Sequence, residues 1–236
     1  MASNGGSYGT NRIKTEHMSR LPSWEQGSLA NMYGYSRGPE PEQFSPIPDP
    51  IKIVANGDLI VVVGRNEPGH TKRAFVVNSL FLGNASRLWA DKIARETTTS
   101  TPHPRGDRPI LRLPNDIPDA FEMLANKLHR GKCILTSGDE PETKSWILLA
   151  QLAFKYQCIG SLWCEADYWL RTKLRIWTLS RNTQKLWDGM VVAHWVGSSE
   201  WFSSYSKRLS CLHDGSFSVF GSRMNDQILG FKLARK

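Results

Sequence analysis

The stretch between residues 57 and 89 constrains the fold more than any other part of the chain. It begins with an apolar run, 59–63, in which four of five residues are β-branched, as is typical of a strand buried on both faces. Residues 64–69 contain two glycines, an asparagine and a proline, which favour a turn. A second apolar run, 73–77, follows after this short connection. We therefore predict that the two strands pair as a hairpin.

After the second strand the apolar spacing changes to that of helices. Asn78 is predicted to cap a short helix by accepting a backbone N–H bond, and residues 80–82 supply its apolar turn. Gly83 is predicted to end that helix in the left-handed conformation. Ser86 is predicted to cap a second helix, whose buried face would carry Leu88, Trp89 and Ile93.

These residues resemble the signature of BTB/POZ domains. The resemblance lies in the frame F-x-V-x-x-x-x-L-x-x-x-S-x-x-[FW] and in an acidic residue that opens the first hairpin strand; the matching positions are Asp58, Phe75, Val77, Leu82, Ser86 and Trp89. The chain is most similar to the divergent BTB proteins of filamentous fungi, over residues 53–209. The resemblance implies an α+β fold, in which a hairpin and a third strand pack against α-helices and a helical extension follows. It also implies that Trp89 packs between the helices and the sheet.

The next elements are a loop, a strand and a helix. Three threonines in a row, two prolines and a glycine predict a loop over 94–107, and 110–113 predicts the third strand. Asn115 or Asp116 is predicted to cap the following helix, with Pro118 in its first turn and Gly131 at its end. The apolar face of that helix is predicted to hold Ile117, Phe121, Leu124, Ala125 and Leu128.

The second half of the chain is predicted to be helical as far as residue 212. Pro141 is predicted to open one helix, which Tyr156 and Cys158 close in a phrase that resembles the family's A-x-K-Y-x-C-x-x-L junction. Ser161 and Ser199 are predicted to cap two later helices, and Gly197 is predicted to end the one between them. Helical spacing predicts that the tryptophans of residues 146–201 form core packing. The tail, 214–236, is either a hairpin docked on the helices or frayed.

This gives four predicted segments. Residues 1–50 are rich in Gly, Ser, Asn and Pro and are predicted to be disordered. The BTB-like domain would span 51–160, the helical extension 161–212 and the tail 213–236. Residues 1–50 hold four basic and five acidic residues, so the net charge of +8 comes from the remainder of the chain. The basic residues are scattered, which favours a solvated surface over a nucleic-acid footprint.

The motifs of enzymes and metal sites are missing from the sequence. There is no phosphate loop, nucleophile elbow or dinucleotide glycine pattern. The cysteines form no C-x-x-C pair, and His129 and Cys133 have no second ligand pair beside them. We therefore expect a non-enzymatic protein without cofactor or metal. With no visible signal peptide or membrane span, it is predicted to be intracellular, in the cytoplasm, the nucleus or both.

The resemblance implies a protein-interaction function. Many BTB domains form homodimers, many bind the cullin scaffold of ubiquitin ligases, and others recruit transcriptional corepressors. The candidate interaction residues are Ile93, Arg95, Glu96 and Tyr156. A cullin adaptor and a nuclear, transcription-associated regulator remain alternatives. The His and basic residue of many metazoan members are replaced here by Asn78 and Ser79, which leaves Asp58 without a basic partner.

Overall fold

A computed structural model describes residues 48–65, 72–99, 108–131, 142–224 and 227–234. These residues have an α+β fold with a four-stranded sheet in the order β1-β3-β2-β4. The strands are β1 Ile51–Lys52, β2 Leu59–Val63, β3 Arg73–Val77 and β4 Ile110–Leu113. The helices are α1 Ser79–Ala85, α2 Arg87–Thr99, α3 Pro118–Arg130, α4 Thr143–Lys155, α5 Trp163–Leu179, α6 Thr183–Trp195, α7 Ser199–Leu212, α8 Ser218–Gly221 and α9 Gln227–Ala234.

The predicted hairpin is confirmed. Strands β2 and β3 pair antiparallel, with Val61 opposite Phe75. Strand β4 is also confirmed, and it pairs with β2 in parallel, with Val61 opposite Leu111. β2 is therefore a central strand, and Val61 and Val62 on its two faces are both buried, as its composition predicts. The sequence did not predict β1, whose two residues pair in parallel with β3, because both are exposed and too few to form a pattern.

Both predicted caps of the paired helices are confirmed. The Asn78 side chain accepts from the backbone N–H groups of α1, and Ser86 Oγ accepts the Trp89 N–H at 3.2 Å. The predicted stop at Gly83 is wrong, because α1 continues to Ala85. Gly83 lies inside this helix, and a β-carbon there would be 3.7 Å from the Ala90 β-carbon of α2.

Two other predictions in this region are wrong. Residues 94–99, predicted as the start of a loop, belong to α2, which runs to Thr99; residues 100–107 lie outside the described residues. Extending an existing helix costs little, and Lys92 and Glu96 form an (i, i+4) ion pair at 3.5 Å on its surface. Leu88 is 39% exposed and does not share the buried face of Trp89.

Helix α3 is confirmed, but its predicted cap is wrong. Ile117 occupies the N-cap position without a capping side chain, and it is 43% exposed rather than part of the apolar face. Asp116 is instead drawn inward, where its carboxylate accepts from Lys155 Nζ and Tyr156 Oη, both at 2.5 Å. The predicted end is confirmed, because Gly131 has a left-handed φ of 57°.

The predicted helices of the second half are present, with shifted ends. α4 begins at Thr143, and the predicted opening at Pro141 lies outside the described residues. Ser161 does not cap α5, because it belongs to a 3₁₀ turn, and Leu162 is the N-cap. The cap of α7 is Ser198, one residue before the predicted Ser199. Gly197 has a positive φ of 73° directly after α6, as predicted.

The tail docks on the helices but is not a hairpin. It forms α8 and α9, and the ring of Phe220 stacks on that of Trp187 with centroids 5.5 Å apart. Close backbone contact holds the two helices together, since a β-carbon on Gly230 would lie 2.4 Å from the Gly221 carbonyl oxygen. The predicted alternative of a docked hairpin is therefore wrong for the described residues of the tail.

One cluster of buried side chains continues across residue 160, the predicted boundary of the helical extension. Trp146 of α4 and Trp169 of α5 have ring centroids 5.3 Å apart. Lys127 of α3 forms an ion pair at 2.5 Å with Glu165 of α5. Residues before and after the predicted boundary therefore pack together in one core. No helix within the described ranges is long and apolar enough to cross a membrane.

Candidate interaction site

The first turn of α1 is held in place by Asp58, the acidic residue of the signature. Its carboxylate accepts from the Ser79 backbone N–H at 2.7 Å and from Ser79 Oγ at 2.6 Å. Burial acts to raise the pKa of Asp58, but the side-chain and backbone hydrogen bonds from Ser79 outweigh it, so the pKa is lowered. Ser79 thus takes the place of the basic partner that the resemblance leads one to expect.

His129 ties the same turn to the end of α3. The hydrogen-bond pattern assigns its tautomer: Nδ1 donates to the Ala125 carbonyl at 2.8 Å, and Nε2 accepts the Asn78 backbone N–H at 3.0 Å. The ring centroid of Phe81 lies 5.3 Å from that of His129. The start of α1 is therefore fixed by contacts to two other elements.

This fixed turn presents two large apolar side chains to solvent. Leu80 is 65% exposed and Phe81 is 48% exposed, and we call this pair the α1 face. Exposed apolar side chains on a rigid backbone lose little conformational entropy on binding, so they suit contact with another protein. The sequence placed Leu80 and Phe81 in an apolar turn and did not predict their exposure.

The other signature residues lie in the interior. Phe75, Val77, Leu82 and Trp89 are each 0% exposed. The indole of Trp89 stacks on the Tyr156 ring with centroids 3.9 Å apart and an angle of 18°, and it meets Phe121 edge-on. The signature residues therefore belong to one core, in which Trp89 lies between Phe121 of α3 and Tyr156 at the end of α4.

The predicted interaction residues are divided between surface and core. Ile93, Arg95 and Glu96 lie on α2; Arg95 is exposed, whereas Ile93 and Glu96 are half-buried. Tyr156 is only 6% exposed, with its ring on Trp89 and its hydroxyl on Asp116. Tyr156 is thus a core residue of this fold.

Cys158 is also part of this core. Burial raises the pKa of its thiol to about 12, although contact with the Trp89 indole opposes that rise. A buried thiol with a raised pKa is less reactive than an exposed one, because the thiolate is the nucleophilic form. Within the described residues, no group of three or more His, Cys, Asp and Glu side chains could hold a metal ion.

The sequence did not predict a basic cleft among α4, α5 and α6. It has a volume of about 400 Å³ and is lined by Glu142, Thr143, Lys144, Trp169, Lys173, Trp177, Lys185 and Asp188. Its lysines come from three helices and are far apart in sequence, so the sequence alone shows them as scattered surface charges. Only the packing of the helices brings them together.

No family model matches the chain, and no curated protein is significantly similar to it.

Proposed function

We propose that this chain is a BTB-like protein-interaction module, without chemistry of its own, that forms homo- or hetero-oligomers through the α1 face. The observation that carries the proposal is the exposure of Leu80 and Phe81 on a helical turn held by Asp58 and His129. Apolar side chains that are exposed and preorganised in this way serve as anchors in protein interfaces.

The arrangement of elements supports the BTB-like part of the proposal. An antiparallel hairpin leads into two short helices, a further strand and another helix, which is the order that the resemblance implies. The aromatic residue that ends the signature is buried, with its ring against Phe121 of α3 and Tyr156 after α4.

The experiment compares the wild-type chain with the double variant Leu80→Asp, Phe81→Asp. The mass in solution is measured by light scattering, and retained proteins are identified by affinity purification with mass spectrometry. We expect the wild type to form an oligomer or retain a defined partner, and the double variant to lose it. A melting curve close to that of the wild type would show that the variant still folds.

The control is Val219→Asp, which places the same charge on another exposed apolar residue, 45% exposed on α8. We expect this variant to keep the wild-type mass and partners. A wild-type chain that is monomeric and retains the same proteins as the double variant would contradict the proposal. A retained cullin that is lost on changing Ile93 and Glu96 would identify the scaffold that the resemblance suggests.

A further inference from the structure

We propose that the basic cleft, together with the adjoining exposed side of α5, binds an acidic peptide segment that also carries apolar side chains. This inference deepens the proposed function, since it gives the chemistry of a partner segment and a second surface that contacts it. The surface is separate in sequence and structure from the α1 face, because it is formed by α4, α5 and α6.

The charges of the cleft favour an anionic group. Lys144 lies in the first turn of α4, Lys173 in the middle of α5 and Lys185 in the first turn of α6. Against these three lysines stand two acidic residues, Glu142 and Asp188. One positive charge is therefore in excess at the cleft, and the first turns of α4 and α6 add the positive ends of two helix dipoles.

Asp188 shows that a carboxylate in the cleft is within reach of the lysines. Its Oδ1 accepts from Gln184 Nε2 at 3.0 Å, and the positive charges of Lys144 and Lys185 act on it. Burial nevertheless dominates and raises the pKa of Asp188. Lys144 and Lys185 themselves are exposed, so an acidic side chain from solvent can approach them directly.

The exposed side of α5 supplies the apolar contacts. Tyr168, Ile176 and Leu179 are 60%, 47% and 77% exposed. Ile176 lies one turn from Lys173 on the same helix, so this side chain adjoins the cleft. Arg175 is also exposed on α5. Tyrosine and arginine are enriched in protein interfaces, and here they lie on the same helix as two exposed aliphatic side chains.

This combination favours a peptide over a nucleic acid. The carboxylates of Glu142 and Asp188 would repel a run of phosphates, whereas a single acidic side chain needs only the one excess charge. Nucleic acid would also gain little from Ile176 and Leu179, which a peptide can cover with its own apolar residues. The volume of about 400 Å³ suffices for one or two side chains.

The test begins with a random peptide library displayed on phage and selected on the full chain. We expect the enriched peptides to contain Asp or Glu next to Leu, Ile, Phe or Trp. The affinity of one enriched peptide is then measured by fluorescence anisotropy. The double variant Lys144→Glu, Lys185→Glu should bind it at least about tenfold more weakly, and binding should also weaken as salt is raised.

Two further variants separate this surface from general effects of charge and folding. Lys207→Glu makes the same change at an exposed lysine of α7 outside the cleft, and it should bind with wild-type affinity. Leu179→Asp changes a side chain that is 77% exposed and should weaken binding without lowering the melting temperature.

The proposal is overturned if no acidic peptide is enriched, if the lysine double variant binds as tightly as the wild type, or if Lys207→Glu weakens binding to the same extent. The Leu80→Asp, Phe81→Asp variant should bind the peptide normally. Loss of peptide binding in the lysine double variant alone supports this surface even if the α1 face proves to have no partner. Loss of oligomers in the α1 variant alone supports the α1 face and not the cleft.

Discussion

In residues 48–131 polar side chains fix the course of the backbone, whereas in residues 142–234 packed aromatic rings fix the positions of the helices. In the first region Asp58, His129 and Arg130 each bind backbone atoms of a distant element, the last of these at the Ile53 carbonyl, 2.7 Å away. In the second region the rings form a chain of contacts that runs through Trp146, Trp169, Trp177 and Tyr205. Directional hydrogen bonds therefore fix the backbone of the first region, whereas the fit between aromatic side chains fixes the helix positions of the second.

Buried indole groups are concentrated in the second region. The indole nitrogens of Trp146, Trp169, Trp187 and Trp195 there, and that of Trp89 in the first region, are buried without a hydrogen-bond partner among the described residues. An unsatisfied buried donor is costly, so the gain from packing these rings has to exceed that cost. The packing of its tryptophans thus contributes to the stability of the helical region.

Trp89 contacts side chains of both regions, and its removal should have the largest effect. Trp89→Ala leaves a cavity between Phe121 of α3 and Tyr156 after α4, and it should lower the free energy of unfolding by ~3–5 kcal/mol. Urea unfolding followed by circular dichroism measures the loss. Trp163→Ala is the control, because Trp163 is 43% exposed and should cost much less. Equal losses for the two variants would contradict the central place of Trp89.

Two glycines inside helices, one in each region, test the contrast at a smaller scale. A β-carbon on Gly189 of α6 would lie 2.3 Å from the ring of buried Tyr205, whose hydroxyl donates to the Leu170 carbonyl at 2.8 Å. Gly189→Ala should therefore destabilise the protein by about 1–3 kcal/mol, although alanine is the better helix former. The same urea titration measures the change, and a stabilised Gly189→Ala would show that α6 and α7 can separate without loss.

The matched variant is Gly83→Ala in α1, where the new β-carbon would be 3.7 Å from Ala90, an ordinary contact. Here the gain in helix propensity should prevail, and unfolding should become harder by about 0.5–1 kcal/mol. If Gly189→Ala lowers the free energy of unfolding and Gly83→Ala raises it, close side-chain packing limits substitution in the helical region but not in α1. If both variants change the free energy of unfolding in the same direction, the two regions do not differ in this respect.

The smallest expected effect concerns pH and Asp188. Burial raises the pKa of this carboxyl in the folded state, so the folded chain holds the proton more tightly than the unfolded chain. The contribution of Asp188 to stability is therefore full below its unfolded pKa and is lost as the pH rises through the folded pKa. Asp188→Asn should be at least as stable as the wild type at pH 7, and its relative advantage should shrink at low pH. Thermal melts of both proteins at several pH values check this. The prediction is contradicted if the stability of the variant relative to the wild type is lower at pH 7 than at low pH.

Local signals were sufficient to predict the hairpin, the caps of α1 and α2 and most helices. The bonds made by Asn78 and Ser86 join residues two or three positions apart, so the sequence shows both partners. The stop predicted at Gly83 was wrong because a glycine that ends a helix and a glycine inside a helix look alike in the sequence. α1 continues through Gly83 to Ala85.

The remaining features depend on residues that are distant in sequence. Asp116 has the composition of a cap, but Lys155 and Tyr156, about forty positions later, draw its carboxylate inward. The tail was a candidate for a hairpin, but it forms α8, in which the ring of Phe220 stacks on that of Trp187. The basic cleft needs α4, α5 and α6 in place before its lysines meet. No local pattern contains this information.

The stacking of Tyr156 on Trp89 has a consequence for synthesis of the chain. The sheet and the helices that cover it come from residues 51–130, yet the stacking partner of the Trp89 ring and the partners of the Asp116 carboxylate are Lys155 and Tyr156. Until the ribosome has translated the end of α4, the nascent chain therefore lacks these contacts. The stacking of Tyr156 on Trp89 should form only when Tyr156 has left the exit tunnel.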